Sequence, residues 1–141
     1  MSAKDDCEDL LNAVLPFAEE MLGKHGEFYP YGGMMQPDGE LVSVGGGDGA
    51  EHPAPQDIAR RIRGALVEAA AAGTCKATAL VHKASIIMTE DGPPSDVVAV
   101  FLDHRDAYSV VVMLPYDIDD GRVRFGEAMA QAGEADIFPS A

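Results

Sequence analysis

A chain of 141 residues, 47% apolar and 24% charged, has the size and composition of one folded domain rather than a disordered segment. Its 24 acidic residues against 10 basic ones leave a net charge of -14, a field that repels nucleic-acid phosphates and anionic lipid surfaces. No apolar run approaches the roughly 18 residues of a membrane span, so neither nucleic acid nor membrane is an expected partner. A basic protein surface is the natural complement of such a charge.

The first 17 residues, MSAKDDCEDLLNAVLPF, carry one lysine, then acids, then an interrupted apolar stretch, which is not a secretory signal. Asp5 or Asp6 can cap a first helix, along which Leu10, Leu11, Val14, Phe17, Ala18, Met21 and Leu22 recur at three- and four-residue steps. Pro16 interrupts this stripe and predicts a kink or two short helices, ending at Gly23 or Gly26. EFYPYGGMM and GELVSV, joined by a Pro37-Asp38-Gly39 turn, read as a hairpin. Pro30 assigns its first strand to a sheet edge.

A glycine-rich stretch, GGGDGAEHPAP (residues 45–55), then leads into a second helix with Pro55 in its first turn. One face of that helix carries Ile58, Ile62, Ala65, Leu66 and Ala69; Arg60, Arg61 and Arg63 lie off it, and Gly73 stops it. Three β-branched runs follow: CKATALVHKASIIMT, DVVAVFLDH and YSVVVMLPY, with HRDA turning between the last two. Residues 117–141 show only weak helical spacing around Phe125 and Met129.

The last two strands are apolar on both faces. Val97, Ala99 and Phe101 oppose Val98, Val100 and Leu102, while Val110, Val112 and Leu114 oppose Val111 and Met113. A strand of this kind needs cover on each side. The expectation is a single α+β domain over residues 1–141. Its five-stranded, mostly antiparallel sheet carries packed helices, in the order α-β-β-α-β-β-β plus a C-terminal segment. That order is similar to the one found in profilin-like and roadblock-like sandwiches, which implies a sensor or a dimeric adaptor.

No catalytic motif stands out. The glycine-rich stretch lacks the lysine with Ser or Thr that a phosphate loop uses, and Asp48, Glu51 and Asp57 put negative charge where a phosphate would lie. It reads as a connection, or as a flap over a pocket. Asp117-Ile118-Asp119-Asp120-Gly121 is off register for a calcium loop and reads as a solvated turn. His25, His52, His82 and His104 lack the paired spacing of a zinc site, so no metal and no cofactor is expected. Cys7 and Cys75, with no CxxC pair, fit a reduced, cytoplasmic setting.

Two readings follow. The first is a non-catalytic protein-interaction module, an adaptor or an inhibitor of the immunity type, acting as a homodimer or on a basic partner. Its candidate binding residues are Tyr29, Tyr31 and Met35 on the aromatic edge, with Arg60 and Arg61. The second is a small-molecule sensor or enzyme whose pocket joins residues 45–52, including His52, to Asp103 and His104.

Overall fold

The computed structural model describes residues 2–45, 55–87 and 90–138. Within them the order is α1 (Ala3–His25), β1 (Tyr31–Met35), β2 (Leu41–Gly45), α2 (Pro55–Ala72), β3 (Ala77–Ile87), β4 (Pro94–His104), β5 (Tyr108–Asp119), β6 (Arg122–Phe125) and β7 (Met129–Ala132). The strands form one sheet in the order β2-β1-β3-β4-β5-β6, with β7 also on β5, and every pairing is antiparallel. The sheet therefore has seven strands where five were expected. β2 and β3 flank β1, both antiparallel to it, so they run parallel to each other and α2 is the crossover that joins them.

The double-sided apolar pattern has its explanation in two separate cores. Cys7, Leu10, Val14, Ala18 and Leu22 of α1 pack on Ala77, Ala79, Val81, Val98, Val100 and Leu102. On the other face Ile58, Ile62, Leu66 and Ala70 of α2, with Ile137, pack on Leu80 and Phe101. Val98 and Val100 are fully buried and Val111 nearly so, with Met113 half-buried. Burying one such side chain stabilises a fold by about 1.5–3 kcal/mol, and both layers draw on it.

β1 makes this possible through Gly32 and Gly33. A Cβ on Gly33 would lie 2.8 Å from Val14 Cγ1, and one on Gly32 would lie 2.9 Å from Ile62 Cγ2 and 2.7 Å from the Ala79 carbonyl. One glycine thus admits α1 and the next admits α2, each to backbone range of the same strand.

Several expectations change. Pro30 lies one residue before β1, so it removes no ladder bond; β1 is interior and β2 is the edge. Ser2, not Asp5 or Asp6, caps α1: its hydroxyl accepts from Asp5 N–H at 3.1 Å and the Asp5 carboxylate accepts from Ser2 N–H at 3.4 Å. Pro16 does not split the helix, which runs unbroken to Gly26, whose left-handed backbone (φ 72°) ends it. Beside Pro16, the Tyr31 hydroxyl accepts from Ala18 N–H at 3.1 Å and donates to the Val14 carbonyl, entering the helical ladder between the two groups. Residues 122–125 and 129–132 form strands, not a helix; RVRF alternates exposed and half-buried positions along β5. Pro115 has no N–H to give, and it falls on β5 where the outer partner changes from β7 to β6.

Other features are as read. The QPDG turn closes with Gly39 N–H donating to Gln36 O at 2.8 Å, with Gly39 at φ 93°. Gly73, at φ 74°, follows α2.

Candidate functional site

Asp103 and His104 were expected to share a pocket. Successive residues of a strand point to opposite faces, and at the end of β4 that alternation separates them: Asp103 faces the α2 side and His104 the α1 side. His52 lies outside the described residues, as does the glycine-rich stretch apart from its ends in β2 and α2.

His104 is buried, and both its ring nitrogens are engaged. Asp106 N–H donates to Nδ1 at 3.1 Å, which leaves the proton on Nε2, and Nε2–H donates to Asp6 Oδ2 at 2.9 Å. Lys76 Nζ stands 3.4 Å from the same oxygen. Burial pushes the Asp6 carboxyl up, but the bonds from His104 and Lys76 outweigh it and hold the group below the ordinary carboxylate value. This is a polar tie from the first turn of α1 to the residue that precedes β3 and to the last residue of β4. The thiols are equally enclosed. Burial, reinforced by the negative charges of Asp103 and Asp6, pushes Cys7 up to about 12, and burial raises Cys75 as well. Such thiols stay protonated and unreactive at neutral pH.

Asp103 has a different setting. The register places Thr78 of β3 opposite Asp103 and Asp103 opposite Ser109 of β5, a polar row across three strands on the α2 face. These three line a cavity of about 250 Å³, walled by Leu66, Leu80, Phe101, Val111 and Ile137 and bordered by Arg63 of α2 with Gly133, Glu134 and Asp136. Asp103 is 6% exposed and Thr78 is 0% exposed, and Thr78 Oγ1 has no hydrogen-bond partner among the described residues. Burial drives the Asp103 carboxyl above its ordinary value. The Ser109 hydroxyl bond lowers it in part, Asp136 raises it further and Arg63 lowers it.

The 133–136 segment is latched at several points. Gly133 N–H donates to Ser109 O and Ala135 N–H to Ser109 Oγ, each at 3.1 Å. Ala135 adopts a left-handed backbone (φ 55°), a conformation unfavourable to a residue with a Cβ. Arg63 donates to Asp136, tying α2 to the same segment. His82 also lines the cavity; its ring stacks on Phe101 with centroids 5.0 Å apart.

The residues proposed for an aromatic binding edge do not share one surface. Met35 is buried in the α1-side core and Tyr31 is half-buried with its hydroxyl inside α1, while Tyr29 is 51% exposed. Tyr29 borders a larger open groove of about 770 Å³ with Pro30, Gln56, Ala59 and Lys83. Arg60 and Arg61 are exposed on α2, Arg60 standing 3.5 Å from Asp57. Among the described residues no group of three His, Cys, Asp or Glu is placed to hold a metal ion, and no helix is long and apolar enough to cross a membrane.

Comparison with family models, with curated proteins and with solved structures finds no match.

Sequence reading did not find Asp6, Lys76, Thr78 or Ser109. For Thr78 a signal existed: it is the one hydroxyl in ATALV, a run whose every position is buried.

Proposed function

We propose that this protein is a ligand-binding domain of the sensor type, with its site in the Asp103 cavity. The observation that carries the reading is the pair of enclosed polar groups in that cavity, the Asp103 carboxyl and the unpartnered Thr78 hydroxyl. Burying a polar group without a partner costs about 1–3 kcal/mol, so a fold that keeps the unpartnered Thr78 hydroxyl beside a void and a carboxyl bonded to Ser109 carries a cost that a bound molecule relieves. A carboxyl perturbed by burial and lining a cavity is a candidate for a functional site. Binding rather than turnover is favoured because His104, Cys7 and Cys75 are committed to the interior.

The test is a set of small alkylamines, alcohols, amides and carboxylates added to 15N-labelled protein. The reading expects amide shifts at Thr78, Asp103, Ser109 and Gly133 with at least one class of probe. A set that leaves these four unmoved refutes it.

A second reading, the protein-interaction module, is supported by the charge of -14 and by β2, an edge strand with Leu41 44% exposed. Its expected outcome is a dimer in sedimentation, or salt-sensitive binding of a lysine-rich peptide. A monomer that ignores the peptide at low salt counts against it.

A further inference from the structure

We propose that the cavity beneath residues 133–136 receives a small organic cation, a primary ammonium carried on a short apolar chain. The proposal rests on the reading of that cavity as a binding site and adds the chemistry of its occupant.

Three features converge. The first is charge. Among the lining residues Asp103, Glu134 and Asp136 bring three carboxylates and Arg63 one guanidinium, an excess of two negative charges when all are ionised. Arg63 is already bound to Asp136 and therefore offers Asp103 only distant compensation. A carboxylate nine-tenths buried, held by one hydroxyl bond from Ser109, is incomplete without a positive partner. An anionic ligand would deepen that deficit, and a neutral one would leave it.

The second is hydrogen-bond count. An ammonium has three donors and no acceptor. Asp103 and Thr78 face each other across the β3–β4 register, and the Thr78 hydroxyl has acceptor capacity that no described residue uses. Ser109 completes the row on the other side of Asp103. Three oxygen-bearing side chains on one face of a sheet match three N–H bonds.

The third is size and lining. About 250 Å³ falls below the roughly 300–1,000 Å³ of sites for drug-sized ligands. Phe101 beside the polar row, with Leu66 and Ile137, adds apolar lining suited to a few methylenes. The acidic surface of the whole molecule also raises the local concentration of cations at the mouth.

The experiment uses the full chain at neutral pH and constant ionic strength, with n-butylammonium, 1-butanol and butyrate as probes of equal length. Binding is followed by calorimetry and by amide shifts. Butylammonium is expected to bind about tenfold to a hundredfold more tightly than butanol, the range a charge-assisted hydrogen bond supplies, and butyrate not at all. Asp103→Asn is expected to abolish that preference. Thr78→Val, which keeps the shape, is expected to weaken the amine by a smaller factor. Equal or tighter binding of butanol or butyrate, or an amine preference that survives Asp103→Asn, overturns the cation proposal; the cavity reading then stands if the Thr78 and Gly133 amides respond to any probe. If none of the three probes moves those amides, both fall.

Discussion

His104 is the residue that sequence inspection would most readily name as a catalyst, and the structure predicts a different phenotype for its loss. In His104→Ala the imidazole that donates to Asp6 at 2.9 Å disappears, and Asp6, 5% exposed, keeps only Lys76 at 3.4 Å. A hydrogen bond to a charged group is worth about 1.5–3 kcal/mol. Breaking a fully buried ion pair costs about 3–5 kcal/mol, an upper bound here because His104 carries a single ring proton, Lys76 remains and Asp6 lies in the first turn of its helix. The void left by the ring adds to the smaller figure. A loss of about 2–4 kcal/mol follows, a large share of the roughly 5–15 kcal/mol that holds a domain together. At this chain length that lowers the unfolding midpoint by about 10 °C. Urea denaturation followed by circular dichroism measures it directly, and a double-mutant cycle with Asp6→Ala isolates the coupling, expected at about 1–2 kcal/mol. A His104→Ala protein within about 0.5 kcal/mol of the parent, the scatter of ordinary surface substitutions, would refute the argument.

Other expectations are more local. Asp103→Asn should raise the thermal midpoint at pH 7 and leave it unchanged well below pH 4: a carboxyl raised in the folded state favours folding while protonated and opposes it as pH rises through the raised value. Asp6 has the opposite sign. Its lowered carboxyl contributes stability above its unfolded value that is lost as pH falls through the folded one, so Asp6→Asn should flatten the acid limb of a stability-pH profile. Tyr31→Phe removes the hydroxyl that spans Val14 and Ala18 and should cost about 1–2 kcal/mol in urea. Gly32→Ala should destabilise by about 1–3 kcal/mol and by more than Gly33→Ala, because its Cβ meets the Ala79 backbone carbonyl whereas that of Gly33 meets only side chains of α1 and a more distant backbone oxygen.

Much of the fold was legible because it is written in local periodicity. The apolar stripe of α1, the Pro-Asp-Gly turn, the Pro55 and Gly73 limits of α2 and the two-faced strands β4 and β5 each follow from residues a few positions apart. What failed to show depends on contacts between distant positions. Pro16 is accommodated beside a hydroxyl from Tyr31, and RVRF becomes a strand because β5 offers an open edge past Pro115. The candidate site was half legible. Asp103 was picked out, but with His104, and strand alternation sends that neighbour into the opposite core. Its true companions, Thr78 and Ser109, become visible only when the register of three strands is known. Asp6, 98 positions from His104, gave no sign beyond an acid near a helix start.

The claim on which the functional account stands is that Asp103 is an enclosed carboxyl in want of a positive partner, with Arg63, Asp136, Glu134 and His82 the charged or titratable groups around it. A 13C NMR titration of the Asp103 side-chain carboxyl, with and without n-butylammonium, tests this. The account predicts a midpoint above the ordinary aspartate range in the free protein and a fall when the amine is present. An ordinary midpoint that the amine leaves in place would contradict it.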